Sequence, residues 1–270
     1  MHDGLIENMS NTDYHAQTDW LSSSVLKKNL PEHYKTGGSQ EALDFGTLFH
    51  TVVLEPELVA GYVALDAEKI GVKADGTPAQ NPTMTAAWKK AVAEVVADGK
   101  QVVAQQDLDK AFAMRDAVKA HETAARLLFE EDGRNELSAF ATDDAGTLHR
   151  ARFDRIISGA IIDLKSTSGK PGADSITRSV IDYGYDLSAA HYLEVARMLG
   201  LDVQAFALVF VQKEEPYRVT VCDLDERFLE RGRALRHLAI QRHLGLAPAY
   251  EGESGFLTLS APEWAIRKVA

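Results

Sequence analysis

Apolar positions in the first half of the chain recur at helical spacing, whereas those in the second half alternate or run together as β-strands do. Ser22-Ser23-Ser24 ahead of Val25-Leu26-Lys27-Lys28 is an N-cap signal for a short helix closed by Pro31. Ser39-Gln40-Glu41 opens a second helix that runs to about Leu54 and stops before Pro56. Its apolar positions Ala42, Phe45, Phe49, Val52 and Val53 share one face. Residues 11–21 are polar and irregular, and 65–82, with Gly71, Gly76, Pro78 and Pro82, read as a loop. Helices are predicted over 84–97, 106–120 and 121–129.

Residues 135–142 then alternate like a strand, and Asp143-Asp144-Ala145-Gly146 is a turn. Residues 149–157 and 160–166 read as a hairpin folded about Ser158-Gly159, which completes a meander of strands. Helices follow over 173–183 and 187–199. A strand pair over 203–211 and 217–222 crosses the turn Lys213-Glu214-Glu215-Pro216. A strong helix spans 225–244, and the tail over 262–270 is helix-prone. The expected class is α/β of the α+β kind, a mostly antiparallel central sheet flanked by helices with an N-terminal helical extension. A single domain over 1–270 is expected, with a mainly helical part over 1–130, a core of sheet and helices over 131–245, and a tail over 246–270.

Ile161-Ile162-Asp163-Leu164-Lys165-Ser166-Thr167, preceded by Arg152-Phe153-Asp154, puts carboxylates and an ammonium where a strand normally carries apolar residues. Alternate side chains share a face, so Asp163 and Lys165 point the same way. The hairpin brings Asp154 opposite Asp163, and facing Cβ atoms lie only about 4.5–5.5 Å apart. Two like charges there repel unless a cation sits between them, and carboxylate oxygens suit Mg²⁺ or Mn²⁺. Asp98-Gly99-Lys100 repeats the Asp-x-Lys pattern but reads as a helix-ending glycine turn without chemistry. The strand pattern alone leaves two readings open, a metal-hydrolase site and a salt bridge on a sheet surface.

Composition narrows the classes. Hydrophobic residues make up 45% and charged residues 26%, as in ordinary globular proteins. No apolar run is long enough for a transmembrane helix, and the N-terminus lacks the basic and apolar regions of a secretory signal. Cys222 is the only cysteine, which excludes an intrachain disulfide and a cysteine-ligated cluster and fits a reducing cytoplasm. It is expected to be a packed thiol. The net charge of −11 argues against a surface that binds nucleic acid everywhere, but not against a local basic channel. No Gly-rich phosphate loop, His-Glu-x-x-His or Gly-x-Ser-x-Gly is present.

Gly46-Thr47-Leu48-Phe49-His50, Arg152-Phe153-Asp154, Asp163-Leu164-Lys165-Ser166-Thr167, and Tyr183-Gly184-Tyr185 leading to Ala190-His191-Tyr192 together resemble the PD-(D/E)xK nucleases. Within that superfamily the order of blocks is most similar to the nuclease domain of RecE-type phage and prophage exonucleases. The resemblance runs from about Ser22 to Leu244. It implies Mg²⁺-dependent hydrolysis of linear double-stranded DNA from its 5′ ends, with Mn²⁺ as a substitute. It further implies a homo-oligomeric ring, trimeric or tetrameric, and a RecT-type single-strand annealing protein as partner, with no membrane. A repair or defence endonuclease of the same superfamily, and a module that binds DNA ends without cutting, are the competing readings.

Carried onto this chain, the resemblance implies that Asp154, Asp163, the Leu164 carbonyl and His50 hold the metal. Lys165 would sit beside the attacking water and stabilise charge on phosphorus, or else balance the two aspartates. Glu136 would add a further acid, bind a second metal or hold Lys165; a solvated strand-end carboxylate is the alternative. Arg150 and Arg152 share a strand face with Asp154 and would contact phosphate or neutralise the acids. Lys170 and Arg178 would meet phosphates, and Tyr183 and Tyr185 would stack on the DNA end or anchor a turn. Relatives often carry Gln-x-x-x-Tyr on the next helix; here those positions are Ser188 and Tyr192, so Tyr192 contacts DNA or belongs to the core. The late-helix arginines 227, 231, 233, 236 and 242 are expected to form a solvated face with acidic partners.

Overall fold

The computed structural model describes residues 2–35, 38–73, 75–169 and 172–252, so Lys170 and the tail over 262–270 lie outside the described residues. The helices are α1 (Asn11–Ala16), α2 (Ser23–Lys28), α3 (Gln40–Leu54), α4 (Ala67–Ile70), α5 (Ala86–Ala97), α6 (Gln105–Ala120), α7 (Glu122–Ala125), α8 (Ala173–Tyr183), α9 (Tyr185–Met198) and α10 (Glu226–His243). The strands are β1 (Gly4–Ile6), β2 (Tyr62–Leu65), β3 (Gln101–Ala104), β4 (Gly133–Thr142), β5 (Leu148–Ile157), β6 (Gly159–Thr167), β7 (Val203–Gln212) and β8 (Val219–Asp223). Six strands form one sheet in the order β1-β4-β5-β6-β7-β8. Only β6 and β7 run parallel, because the chain crosses over through α8 and α9 between them.

Each face of the sheet has its own core. Leu137, Phe153, Ile161, Leu208 and Phe210 pack against Val180 of α8 and Ala189 and Val195 of α9. Ile162, Leu164, Val209 and Val211 pack on the other side against Phe45, Phe49 and Val53 of α3 and Met114 of α6. The apolar stripe on α3 is the one its helical spacing predicts, and it buries Phe49 completely. This packing fixes α3 against β6 and β7, which matters because α3 carries His50.

The meander forms as the alternation predicts, and Gly159, at φ +78°, makes the tight turn between β5 and β6. Two expectations fail. Residues 11–21 are not irregular throughout, because Ser10 Oγ accepts the Asp13 N–H at 3.0 Å and starts α1. Residues 65–82 are not simply a loop, because α4 lies within them. Next to them β2 and β3 form a small parallel ribbon. These strands, like β1, are short and paired with distant partners, so no local periodicity announces them.

Candidate active site

The meander assembles an acidic row across β4, β5 and β6. The pairs Asn135↔Arg155 and Leu137↔Phe153 place Glu136 opposite Asp154. The pairs Ile157↔Ala160 to Arg155↔Ile162, carried one step further, place Asp154 opposite Asp163. The regular β5–β6 ladder ends at that step. There the Asp154 carboxylate accepts the Leu164 N–H at 2.8 Å, so a side chain replaces a backbone carbonyl and the strands part around the acids. Glu136 takes φ +46°, in the left-handed region that a non-glycine side chain rarely occupies. Strain of this kind persists where surrounding contacts hold it, and both of Glu136's carboxylate oxygens are held.

One Glu136 oxygen lies 3.4 Å from His50 Nδ1, and the other accepts the Arg152 Nε–H at 2.6 Å. His50 Nδ1 also lies 3.8 Å from the Asp154 carboxylate, and its Nε2 is 2.8 Å from the Leu164 carbonyl oxygen. Burial works against the charged imidazole, but the Asp154 charge and the bond and charge of Glu136 outweigh it and lift His50 to about 9. Burial would raise the Glu136 carboxyl too, yet His50 and Arg152 hold it below its ordinary value. Ligand atoms of His50, Glu136 and Asp154 all lie within 4.8 Å of one another, close enough to share one ion. Two carboxylates and an imidazole suit a hard or borderline divalent cation such as Mg²⁺ or Mn²⁺, so the donor set fits such a metal.

Lys165 stands on the other side of this group. Its Nζ is 2.6 Å from Asp163, 3.6 Å from Asp154 and 3.2 Å from the Leu164 carbonyl oxygen. Burial opposes the ammonium, but Asp163 and Asp154 keep it well above its usual value, so it stays charged at any working pH. Asp163 is only 2% exposed, and burial raises its carboxyl while Lys165 pulls the other way. The shared face of Asp163 and Lys165, read from strand alternation, is thus a close ion pair.

Not all of the expected site residues converge. Asp154, Asp163, Leu164, Lys165, His50 and Glu136 do. Glu136 is held by His50 and Arg152 rather than pairing with Lys165. Arg152 donates its Nε–H to Glu136 and another N–H to the Met9 carbonyl at 2.9 Å, so it faces the acidic row as its strand position predicts. Arg150 departs from the expectation of DNA contact. It is 4% exposed, donates to the Tyr14 carbonyl and lies over the Tyr14 ring at 4.7 Å. Ser188 is buried at 6% exposure, and Tyr192 packs on Phe153 and Phe206 as a core residue. Tyr183 is 45% exposed beside Tyr185, and Arg178 lies on α8. Of the late-helix arginines, Arg231 pairs with Asp186, Arg233 with Glu226 and Arg242 with Glu32. Cys222 is half-buried, and burial pushes its thiol up to about 11, which suits a packed, unreactive side chain.

Sequence reasoning missed Lys27. It comes from α2, and its Nζ lies 5.6 Å from the centre of the Tyr185 ring. Lys165 Nζ lies 5.6 Å from the same ring. Nothing in the local pattern of α2 joins it to β6; only the packing of α2 against α9 and α10, through Leu26, Leu187 and Leu235, does so.

The sequence profile of a family described as a PDDEXK-like domain of unknown function (DUF3799) matches residues 20–245. Among curated proteins none matches the chain. The crystal structure of a candidate exonuclease of Eubacterium rectale aligns over 90% of this chain and 89% of its own, with 16% identity and a TM-score of 0.56, so the fold is shared. An alkaline exonuclease of Laribacter hongkongensis aligns over 73% of this chain and 92% of its own at 14% identity, with a TM-score of only 0.29. Among the described residues no helix is long and apolar enough to cross a membrane. With the matched profile spanning the acidic row, Lys165 and His50, the chain belongs to this PDDEXK-like family and has the fold of the PD-(D/E)xK nucleases.

Proposed function

We propose that the protein is a divalent-metal-dependent exodeoxyribonuclease that degrades linear double-stranded DNA from its 5′ ends. The observation that carries this reading is the row Glu136, Asp154 and Asp163 meeting His50 and Lys165 where β5 and β6 part. Carboxylates confined in this way need cations, and a phosphodiester needs both a cation and a positioned water. Asp154, Glu136 and His50 hold the metal, Mg²⁺ with Mn²⁺ as substitute, and Asp163 and the Leu164 carbonyl complete the expected ligand set. When bound, the metal supplies Lewis acidity at the scissile phosphate and the attacking water.

The chain's own groups do the rest. Lys165 presents a permanent positive charge beside the acids, orients the attacking water and stabilises the charge that builds on phosphorus. Asp163 fixes that ammonium in place through the 2.6 Å ion pair. Arg152 holds Glu136 in its unusual backbone conformation, which keeps the carboxylate aimed at His50. The exposed Tyr183 and Arg178 of α8, the helix that follows β6, are assigned to substrate contact in this reading. A homo-oligomeric ring, trimeric or tetrameric, would keep DNA threaded. The 3′ single strands left behind would pass to a RecT-type annealing protein, all in the reducing cytoplasm.

The test incubates the protein and Mg²⁺ with a linear duplex phosphorylated at one 5′ end, beside a covalently closed circle and an EDTA control. Loss of the 5′-phosphorylated strand with the circle intact is the expected result. Cutting of the circle would make the protein an endonuclease of the same superfamily. Duplex binding with no cutting in Mg²⁺ or Mn²⁺ would make it a non-catalytic DNA-end-binding module.

A further inference from the structure

Around the acidic row, most cations are already matched by the protein itself. Lys165 faces Asp163 and Asp154, and Arg152 faces Glu136. Arg150 is covered by Tyr14. Lys27 differs. Among the described residues no carboxylate comes within ion-pair distance of its Nζ, although the side chain is half-buried. Its ammonium lies 5.6 Å from the centre of the Tyr185 ring, which Lys165 also approaches at 5.6 Å.

An ammonium held out of water beside another ammonium is unfavourable unless an anion completes it. Burial and the like charge of Lys165, against the weaker pull of Asp163 and Asp186, push Lys27 down to about 8, so it is still mostly charged at neutral pH. The rest of the site makes the same demand from the opposite direction. Three carboxylates in a row repel a polyanion, and a chain of net charge −11 offers little general attraction. A cation left uncommitted next to the centre is what offsets that repulsion. We infer that Lys27 is a substrate-binding residue, whose ammonium takes a backbone phosphate of DNA neighbouring the scissile one, beside the Tyr185 ring that Lys165 also approaches.

This inference rests on the phosphodiester reading of the site. It differs from a structural role for Lys27, which would act through the packing of the methylene stem. The experiment compares the full chain with Lys27→Met, which keeps a stem and loses the charge, and Lys27→Arg, which keeps the charge. Binding of a short 5′-phosphorylated duplex is measured in Ca²⁺ over a series of KCl concentrations, and cleavage is measured in Mg²⁺. Losing a phosphate contact should weaken binding and raise KM by roughly tenfold, with a much smaller change in kcat. The slope of log affinity against log salt should fall by about one. Lys27→Arg should stay close to the unaltered protein on each measure. Lys27→Gln repeats the comparison if Lys27→Met does not fold.

An unaltered salt slope and KM in a folded, cutting Lys27→Met protein would overturn the inference and leave the nuclease reading standing. If the unaltered chain neither binds nor cuts the duplex, the nuclease reading fails and the inference fails with it.

Discussion

His50 Nε2 meets the Leu164 carbonyl oxygen at 2.8 Å, and this contact decides which ring nitrogen faces the carboxylates. A carbonyl only accepts, so Nε2 carries a proton, and Nδ1 is the nitrogen turned towards Glu136 and Asp154. A backbone hydrogen bond of this kind fixes both the tautomer and the orientation of a ligating imidazole. His50→Ala is therefore expected to weaken Mn²⁺ binding by at least about tenfold, by the standard of even second-layer changes at metal sites. Calorimetric titration of Mn²⁺ into both proteins checks this, and equal affinities would remove His50 from the metal site.

The Lys165–Asp163 pair separates chemistry from stability. Lys165→Met leaves a carboxylate that is 2% exposed without its cation, and stranding one partner of a buried pair costs about 3 kcal/mol. Asp163→Asn in the same protein removes the stranded charge and should recover much of that loss. Neither variant should cut DNA, because the positive charge beside the scissile phosphate is gone in both. Urea unfolding alongside a cleavage assay gives the two readouts. Cleavage at the unaltered rate by Lys165→Met would end the assignment of Lys165 to the chemistry.

The residues of the acidic row were legible because strand alternation and a two-residue turn fix which side chains face each other. The positions of Asp154, Asp163 and Lys165 follow from that arithmetic alone. Their partners were harder to read. Glu136 reaches His50 through a left-handed backbone conformation that no propensity signals. Arg150 and Arg152 share a strand face with Asp154, but their backbone partners come from elsewhere, the Tyr14 carbonyl from α1, in a stretch whose pattern reads as polar and irregular, and the Met9 carbonyl from the segment before it. Lys27 shares the Tyr185 ring with Lys165 only through tertiary packing of α2. Local pattern carried β4 to β8 of the sheet, and contacts between distant segments carried β1 and the groups that tune the site.

Gly232 shows how closely α10 is seated on the helix that follows the site. A Cβ there would collide with the Asp186 carbonyl oxygen, and backbone cannot swing away as a flexible side chain can. Alanine would favour the helix itself by up to about 1 kcal/mol. Overpacking typically costs about 1–3 kcal/mol, and a rigid backbone contact belongs at the upper end. Gly232→Ala is thus expected to lower Tm by several degrees, measured by thermal unfolding. An unchanged or raised Tm would mean that α10 moves away from α9 freely.

His191 gives the fold a definite response to acid. It is fully buried on α9, its Nε2 donates to the Arg150 carbonyl at 2.9 Å, and its Nδ1 accepts the Arg236 Nε–H at 3.2 Å. Both nitrogens are committed to the neutral ring. Burial, reinforced by the Arg236 charge, pushes its pKa down to about 3, against about 6.5 in an unfolded chain. Between those values the unfolded chain holds the proton and the folded chain does not. The stability His191 contributes is present above about pH 6.5 and is lost as pH falls towards 3. His149, whose ring centre is 5.8 Å away, is also pushed down, by burial against the pull of Asp143, and adds to the same trend. From pH 7 to 5, above the ordinary carboxylate range, these two rings lower the unfolding free energy, while His50, held at about 9, works the other way, so the contribution of His191 is read as the difference in slope between variant and unaltered protein. His191→Gln offers an amide to the Arg150 carbonyl without a titrating ring, so it should be less stable at pH 7 yet flatter from 7 to 5. Urea unfolding across that range, without divalent metal, reads the slope, and an identical slope in His191→Gln would mean that His191 is not the group taking up the proton.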